Sequence, residues 1–119
     1  MSQYDQIKKK LIIDSPETVN TDWTSPSFSL DDRFGQLFIS LKYNGGVSVD
    51  MRVYLQLSDT GLDSDFATVT ESLQAITSVD GAVAYDLDGS GAPYARILVE
   101  VIGGSIDVYE LRYTAGQFH

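Results

Sequence analysis

Alternation of apolar and polar side chains over residues 47–57 is the sequence feature that most constrains the fold. Every odd position is apolar, and the even positions hold Ser, Asp, Arg, Tyr and Gln. Successive side chains of a β-strand point to opposite faces, so this period of two predicts a strand with one buried face, whereas a helix needs a period of 3.6. The positions predicted to face the core are Val47, Val49, Met51, Val53, Leu55 and Leu57.

A second alternating stretch, residues 35–43, predicts another strand, with Leu37, Ile39, Leu41 and Tyr43 on its inner face. Asn44-Gly45-Gly46 separates the two stretches. Asn-Gly accepts the positive φ angles of a tight turn, so we expect 35–43 and 47–57 to form a hairpin. Gly103-Gly104 predicts a second tight turn, between strands at 94–102 and 105–113. The apolar phase changes inside the last strand, which predicts a β-bulge near Val108-Tyr109.

Seven to nine short strands, with turn residues about every ten positions, account for most of the chain. No stretch long enough for a helical crossover separates them, which disfavours a parallel sheet. The sequence therefore predicts an all-β protein, an antiparallel β-sandwich of jelly-roll type. We expect residues 1–14 to form an arm or peripheral strand and residues 15–119 to form the single sandwich domain.

The charge of the chain is acidic and uneven. The net charge is −9 over 119 residues, yet residues 1–12 hold Lys8, Lys9 and Lys10 against Asp5 alone. Nucleic-acid binding depends on Lys and Arg, so an acidic domain is a poor candidate for it. The lysines predict either a basic segment that docks on an acidic surface, of this chain or of a neighbour, or a solvated charge run. We identify no signal peptide and no stretch as long as a membrane span.

Catalytic residue patterns are scarce. The chain has no Cys, and its single His is the last residue, His119, where rigid positioning beside a nucleophile is not expected. No glycine-rich phosphate loop follows a strand and opens a helix. We therefore expect a protein that is not an enzyme and has no cofactor, with a calcium ion as the one weak alternative.

Calcium is a weak prediction from two acidic loops. Asp86, Asp88 and Ser90 resemble the first half of a calcium-binding loop, but Ile97 stands where the closing acid would be. Asp59, Asp63 and Asp65 form a second acidic loop. The alternative is that Asp, Ser and Gly serve only as turn residues in both loops.

Two aromatic side chains are candidate contact residues. Phe38 and Tyr54 fall on the polar phase of the two most regular predicted strands. Aromatic side chains on a sheet face mark either a binding surface or the contact with a second sheet. Carbohydrate-binding modules stack sugars on such faces, which keeps a carbohydrate-binding or adhesion module, with or without calcium, as the alternative function.

Several short motifs occur in order along residues 22–113. They are Asp22-Trp23-Thr24-Ser25, the strand and glycine turn 37–46, Leu55-Gln56-Leu57-Ser58-Asp59, Tyr94-Ala95-Arg96-Ile97, Gly103-Gly104 and the apolar strand 106–113. In this order they resemble small β-sandwich proteins that bacteriophages encode as decorating or minor virion components. Phe66 stands where the family often has Trp, and residues 1–21 lie outside the resemblance.

The resemblance implies a non-enzymatic structural protein of the virion, assembled in the host cytoplasm as part of a capsid, tail or spike. Its partners would be itself, as a homo-oligomer, or other virion proteins, and neither nucleic acid nor a membrane. The residues we expect to make such contacts are Lys8, Lys9, Lys10, Phe38 and Tyr54.

Overall fold

The computed structural model describes the backbone of residues 4–13, 15–29, 34–88 and 92–118, and the side chains within 11–13, 15–29, 38–86 and 92–114. Eight β-strands and one 3-10 turn account for most of these residues, and all strand pairs are antiparallel. The all-β antiparallel fold predicted from the sequence is confirmed. The strands are β1 (Tyr4–Ile13), β2 (Glu17–Val19), β3 (Trp23–Thr24), β4 (Phe28–Ser29), β5 (Phe34–Ser58), β6 (Ala67–Ile76), β7 (Gly81–Asp88) and β8 (Tyr94–Phe118), with the 3-10 turn at Asp63–Asp65.

Two long strands, β5 and β8, run beside each other through the molecule. Each has 25 residues and would extend about 80 Å if straight. The longest dimension of the molecule is 48 Å, so both strands must bend. They bend at the same place, because Asn44 in β5 is the register partner of Asp107 in β8 and Val47 is the partner of Ser105. The expectation of uniformly short strands is therefore wrong for these two.

Glycines at this bend do not close hairpins, contrary to the sequence prediction. Residues 36–43 pair with 108–116 of β8 instead of with 47–57, and Gly103-Gly104 lies inside β8. Gly45 and Gly104 do adopt the positive φ angles that were predicted, 70° and 79°. A side chain on Gly104 would collide with the backbone carbonyls of Val47 and Ser48. The same turn chemistry therefore bends two paired strands together without reversing either.

Extra residues help to bend the strands by shifting their register. Lys42 pairs with Glu110 and Tyr43 with Val108, so Tyr109 is an extra residue in β8, and it lies at the bulge predicted near Val108-Tyr109. Ile102 is a second extra residue, between the partners of Asp50 and Met51. Ser48 has a φ of 51°, a left-handed value that is uncommon outside glycine.

The bend divides the sheet into two layers that face each other. The first layer contains β1 and β2 side by side along residues 105–118 of β8, then residues 34–44 of β5, and β7. The second layer contains β3 and β4, residues 94–103 of β8, residues 47–58 of β5, and β6. This arrangement is the predicted sandwich, built from one folded sheet.

Alternation along the strands places the core between the layers. Val49, Met51, Val53 and Leu55 are buried as predicted, whereas Val47 is 66% exposed because it lies in the bend. The first layer contributes Ile13, Val19, Ile39, Leu41, Tyr43, Val83, Tyr85, Ile106, Val108, Leu111 and Tyr113, and the second contributes Phe28, Ile76, Ala95, Ile97 and Val99.

Buried tyrosines join the two layers. Tyr113 of the first layer stacks on Phe28 of β4, with ring centroids 5.0 Å apart. Tyr85 of β7 reaches β5 and β6, where its hydroxyl oxygen lies 3.0 Å from the Val53 carbonyl and 2.8 Å from the Ser72 carbonyl. Burial raises the pKa of Tyr85 to about 12 and also raises the pKa of Tyr113.

Tyr85 and Ser72 supply hydrogen bonds to β5 where its backbone pairing with β6 is interrupted. Val53 pairs with Gln74 and Leu55 with Val69, so residues 70–73 bulge away from β5. The Leu55 amide donates instead to the Ser72 hydroxyl, at 2.8 Å, and the Val53 carbonyl shares the Tyr85 hydroxyl hydrogen with the Ser72 carbonyl. Buried backbone groups that lose a sheet partner are costly unless another group replaces it, and two side-chain hydroxyls do so here.

Helices long and apolar enough to cross a membrane are absent from the part of the chain that the structure describes.

Candidate interaction surfaces

Phe38 lies on the outer face of the first layer, where its side chain is 45% exposed. The outward side chains of β5, β7 and β8 surround it, because Phe38 is the register partner of both Asp86 and Thr114. We call this surface the Phe38 face. Its described residues are Leu11, Phe38, Ser40, Lys42, Ala82, Ala84, Asp86, Glu110, Arg112 and Thr114.

Three of the four charged residues on the Phe38 face form one small group, and the fourth, Asp86, is exposed. Glu110 accepts from Lys42 at 3.2 Å and from Arg112 at 3.1 Å. About half of each cationic side chain stays in contact with solvent, so both ion pairs are weak and can rearrange around a partner. Apolar Leu11, Phe38, Ala82 and Ala84 make up the rest of an open, mixed surface that is suited to a protein contact.

Tyr54 lies on the opposite side of the sandwich. It is half-buried on the outer face of the second layer, beside its register partner Leu98. The core separates the outer faces of the two layers, so Phe38 and Tyr54 do not belong to one surface. The sequence could not show this, because the bend at residues 44–47 puts Phe38 and Tyr54 in different layers although both lie on β5.

Lys8, Lys9 and Lys10 lie in β1, opposite Ala115, Thr114 and Tyr113 of β8. The side chains of these lysines lie outside the described residues. Their strand is at one edge of the first layer, since β1 pairs only with β8 among the described residues.

Asp86 and Asp88, two of the three predicted calcium ligands, belong to a strand and not to a loop. β7 extends through Asp88, whose register partner is Gln36, and Asp86 is exposed on the Phe38 face. Ser90 lies outside the described residues. Within those residues, no cluster of three or more His, Cys, Asp or Glu side chains is arranged to hold a metal ion.

Loop 59–65, the second acidic loop, is fastened to the protein itself. Asp63 pairs with Arg96 at 2.9 Å, and Asp65 accepts a hydrogen bond from the Thr60 hydroxyl. The buried Ser58 hydroxyl accepts from the amides of Thr60 and Gly61. Asp59 is exposed.

Arg96 is the centre of a cluster on the outer face of the second layer that sequence reasoning missed. Its Nε donates to Gln56 Oε1 at 2.7 Å, and its guanidinium carbon lies 4.1 Å from the centroid of the Phe66 ring. Gln56 in turn donates to the Thr68 hydroxyl at 3.0 Å. We call this group the Arg96 cluster, and it holds loop 59–65 against β5 and β8. Its members are Gln56, Asp63, Phe66, Thr68 and Arg96.

Two of the motifs that carry the phage resemblance meet in this cluster. Residues 55–58 pair in register with residues 97–94, so Gln56 lies opposite Arg96 and Ser58 opposite Tyr94. Phe66 supplies the ring under Arg96. These motifs are explained by packing and hydrogen bonding within the fold.

Asp22-Trp23-Thr24-Ser25, the third motif, attaches the N-terminal part of the chain to β8. The Ser25 hydroxyl accepts from the Ile97 amide at 2.9 Å, and Asp22 accepts from the Val101 amide at 2.8 Å. Trp23 is half-buried, and its Nε1 donates to Glu17 at 3.0 Å. Side chains thus replace sheet hydrogen bonds where β3 and β4 are too short to supply them.

A shallow groove lies where Tyr109 bulges from β8. Tyr109 is 38% exposed and lines the groove together with Lys42, Asn44 and Asp80. An aromatic ring beside amide, carboxylate and ammonium groups offers both a stacking surface and hydrogen-bonding partners for a polar ligand.

No protein-family model matches the sequence, and no curated protein is significantly similar to it. The fold is nevertheless shared with solved structures. The SPBc2 prophage-derived protein YomS matches with a TM-score of 0.55 over 94% of each chain, at 12% identity. A structure of infectious bursal disease virus, Gt strain, matches with a TM-score of 0.53 and 13% identity over 94% of this chain, which spans 32% of the viral one.

An adhesin domain has the same fold. The K3 cleaved adhesin domain of Lys-gingipain from Porphyromonas gingivalis w83 matches with a TM-score of 0.53 at 14% identity, over 89% of this chain and 72% of the domain. At such identities the likenesses establish a common fold and leave function to be argued from the surfaces.

Proposed function

We propose that this chain is a non-enzymatic structural protein of a bacteriophage virion, as a capsid decoration, tail or spike component. The observation that carries the proposal is the match with the prophage protein YomS, which extends over 94% of both chains. The match with a viral chain supports it, and so does the sequence resemblance to phage β-sandwich proteins. On this proposal the protein needs no cofactor and is assembled in the host cytoplasm through contacts with itself or with other virion proteins.

The Phe38 face is the surface we assign to contacts with other virion proteins. It is open and mixed in character, and loop 59–65, which is bound to Arg96, lies on the other layer. Burying Phe38 against a partner would remove an exposed aromatic ring from water and leave the Glu110 ion pairs at the rim of the contact.

Particles released by the bacterium that carries the gene provide the test. We expect mass spectrometry and immunogold labelling to find the chain in purified particles at a fixed stoichiometry. Phe38→Asp should reduce incorporation strongly, whereas Leu73→Asp, at a residue of similar exposure on β6, should not. Recovery of the wild-type chain only in the particle-free fraction would refute the proposal.

A carbohydrate-binding or adhesion module is the second candidate, and the groove beside Tyr109 favours it. The groove combines an exposed ring with Asn44, Asp80 and Lys42, and the fold is also that of the gingipain adhesin domain. Glycan-array binding that is lost in Tyr109→Ala and kept in Tyr109→Phe would support this candidate. An array with no signal above that of Tyr109→Ala would exclude it.

A further inference from the structure

The first layer ends in two different edge strands. Its order is β1-β8-β5-β7, with the three-residue β2 next to β1 on the same side of β8, and within the described residues β1 pairs only with β8 and β7 only with β5. An edge strand presents backbone groups that another strand can pair with. The layer therefore offers one such edge on each side.

Opposite charges mark the two edges. β1 contains Lys8, Lys9 and Lys10 against Asp5, a balance of +2. β7 contains Asp86 and Asp88 and no basic residue, a balance of −2.

Strand direction makes the two edges compatible. Each neighbouring pair in the first layer is antiparallel, so β1 and β7 of one molecule run in opposite directions. A second copy placed in the same orientation would bring its β1 antiparallel to β7 of the first. The strands are similar in length, with 10 and 8 residues, so the joined layers would form one continuous antiparallel sheet.

Residue types along β7 favour an accessible edge. Lysine and proline, which commonly protect edge strands, are absent from β7, and its outward residues Ala82 and Ala84 are small. The lysines of β1 protect that edge against a neutral or basic strand, but Asp86 and Asp88 make β7 an acidic one. One carbonyl is already occupied, because the Gln74 side chain donates to the Ala84 carbonyl at 2.6 Å. Like charges disfavour pairing of two β1 edges or of two β7 edges, which leaves β1 against β7 as the favoured combination.

We propose that copies of this chain associate head to tail by pairing β1 of one copy with β7 of the next, an inference that specifies the self-contact of the proposed structural role. The two sides of this contact differ, so it repeats from copy to copy and produces a closed ring or an open filament, depending on the rotation between neighbours. The twist of the sheet supplies such a rotation.

Charge reversal at each edge tests the pairing. The acidic variant carries Lys8→Glu, Lys9→Glu and Lys10→Glu, and the basic variant carries Asp86→Lys and Asp88→Lys. We expect the wild-type chain to form oligomers larger than a dimer in sedimentation velocity at about 0.15 M salt, where screening over about 8 Å limits repulsion between the acidic bodies. Each variant alone should be monomeric, and mixing the two should restore assembly, because every β1–β7 contact then joins opposite charges.

Two controls separate pairing from general charge effects and from misfolding. Asp50→Lys with Asp59→Lys makes the same charge change as the basic variant at exposed sites away from β7, and should assemble like the wild type. Circular dichroism and melting temperature report whether each variant is folded. A wild-type chain that stays monomeric at all concentrations would overturn the proposal, as would folded variants that assemble without mixing.

Outcomes of this test and of the particle test are independent. A monomeric chain that is present in purified particles would overturn the edge pairing and leave the structural role intact. Oligomers of a chain that particles lack would refute the structural role and keep the pairing.

Discussion

The outer faces of the two layers are built from the same two strands, β5 and β8, yet their arginine side chains differ in exposure and in the contacts that hold them. On the second layer, Arg96 has 12% of its side chain exposed and is held by Gln56, Asp63 and Phe66. On the first layer, Arg112 is 50% exposed and pairs with Glu110 at 3.1 Å. The chain thus fixes the charged side chain at the Arg96 end of the second layer with its own loop, and leaves the cationic side chains of the Phe38 face half exposed.

Arg96→Ala should produce the largest loss of stability, because it removes the central side chain of the Arg96 cluster. The substitution leaves the buried side-chain oxygen Oε1 of Gln56 without its charged donor and removes the cation from the face of the Phe66 ring. We expect a loss of about 2–3 kcal/mol in the free energy of unfolding, from a charged hydrogen bond and a cation–π contact. Urea denaturation measures it, with Arg112→Ala on the Phe38 face as the matched control.

Arg112→Ala should change the free energy of unfolding by less than about 1 kcal/mol, as expected for an exposed ion pair. Equal losses in the two arginine variants would contradict the distinction between a firmly held and a half-exposed arginine.

Tyr85→Phe should have the next largest effect, since it opens the gap between β5 and β6 at the edge of the second layer. The Val53 carbonyl loses its hydroxyl donor, at a cost of about 1–2 kcal/mol. Tyr43→Phe removes a partly buried hydroxyl bonded to Ser78 and serves as the control, with a smaller expected loss. Equal denaturation midpoints for Tyr85→Phe and the wild type would contradict the gap-filling role.

Alkaline pH should reproduce part of the Tyr85→Phe effect in the wild-type chain. The pKa of Tyr85 is about 12 in the folded protein, above its ordinary value of 10, so the unfolded chain releases this proton first. Stability from this group is complete below pH 10 and is lost as the pH rises toward 12. Urea midpoints from pH 9 to 11.5 should therefore fall more steeply for the wild type than for Tyr85→Phe, and parallel curves would contradict the shift.

Glu110→Gln should have a small effect, because it breaks only the ion pairs of the Phe38 face. Both partners of Glu110 are about half exposed, so we expect a loss below about 1 kcal/mol that shrinks further at high salt. Urea denaturation at 0.05 and 0.5 M salt checks it. A loss as large as that of Arg96→Ala would mean that the charges of the Phe38 face are as firmly held as Arg96.

Local periodicity was enough to predict the strands and much of the core. Ile39, Leu41, Met51 and Val53 are buried as their alternation requires, and the change of phase near Val108-Tyr109 marks a real bulge. Both inferences depend on neighbouring residues alone, and strand geometry fixes where neighbouring side chains point.

Pairing between distant segments was not predictable from such patterns. Glycines with positive φ angles suit a hairpin and a bend equally well, and only the pairing of β5 with β8 distinguishes the two. Gln56 and Arg96 are 40 residues apart in the sequence, so no local pattern predicts their contact. For the same reason the separation of Phe38 from Tyr54 required the structure.

Calcium should have the smallest effect of all, although Asp86 lies on the Phe38 face. Asp86 and Asp88 are two positions apart on an extended strand, so their Cα atoms are about 6.5 Å apart. Calcium binding needs six or more oxygens within about 2.6 Å of the ion, which two carboxylates on one strand do not supply. We expect melting temperatures with 5 mM CaCl₂ and with EDTA to agree, because only a ligand that binds the native state raises its stability. A calcium-dependent rise that disappears in Asp86→Asn, but not in the exposed control Asp50→Asn, would instead place a calcium site on the Phe38 face.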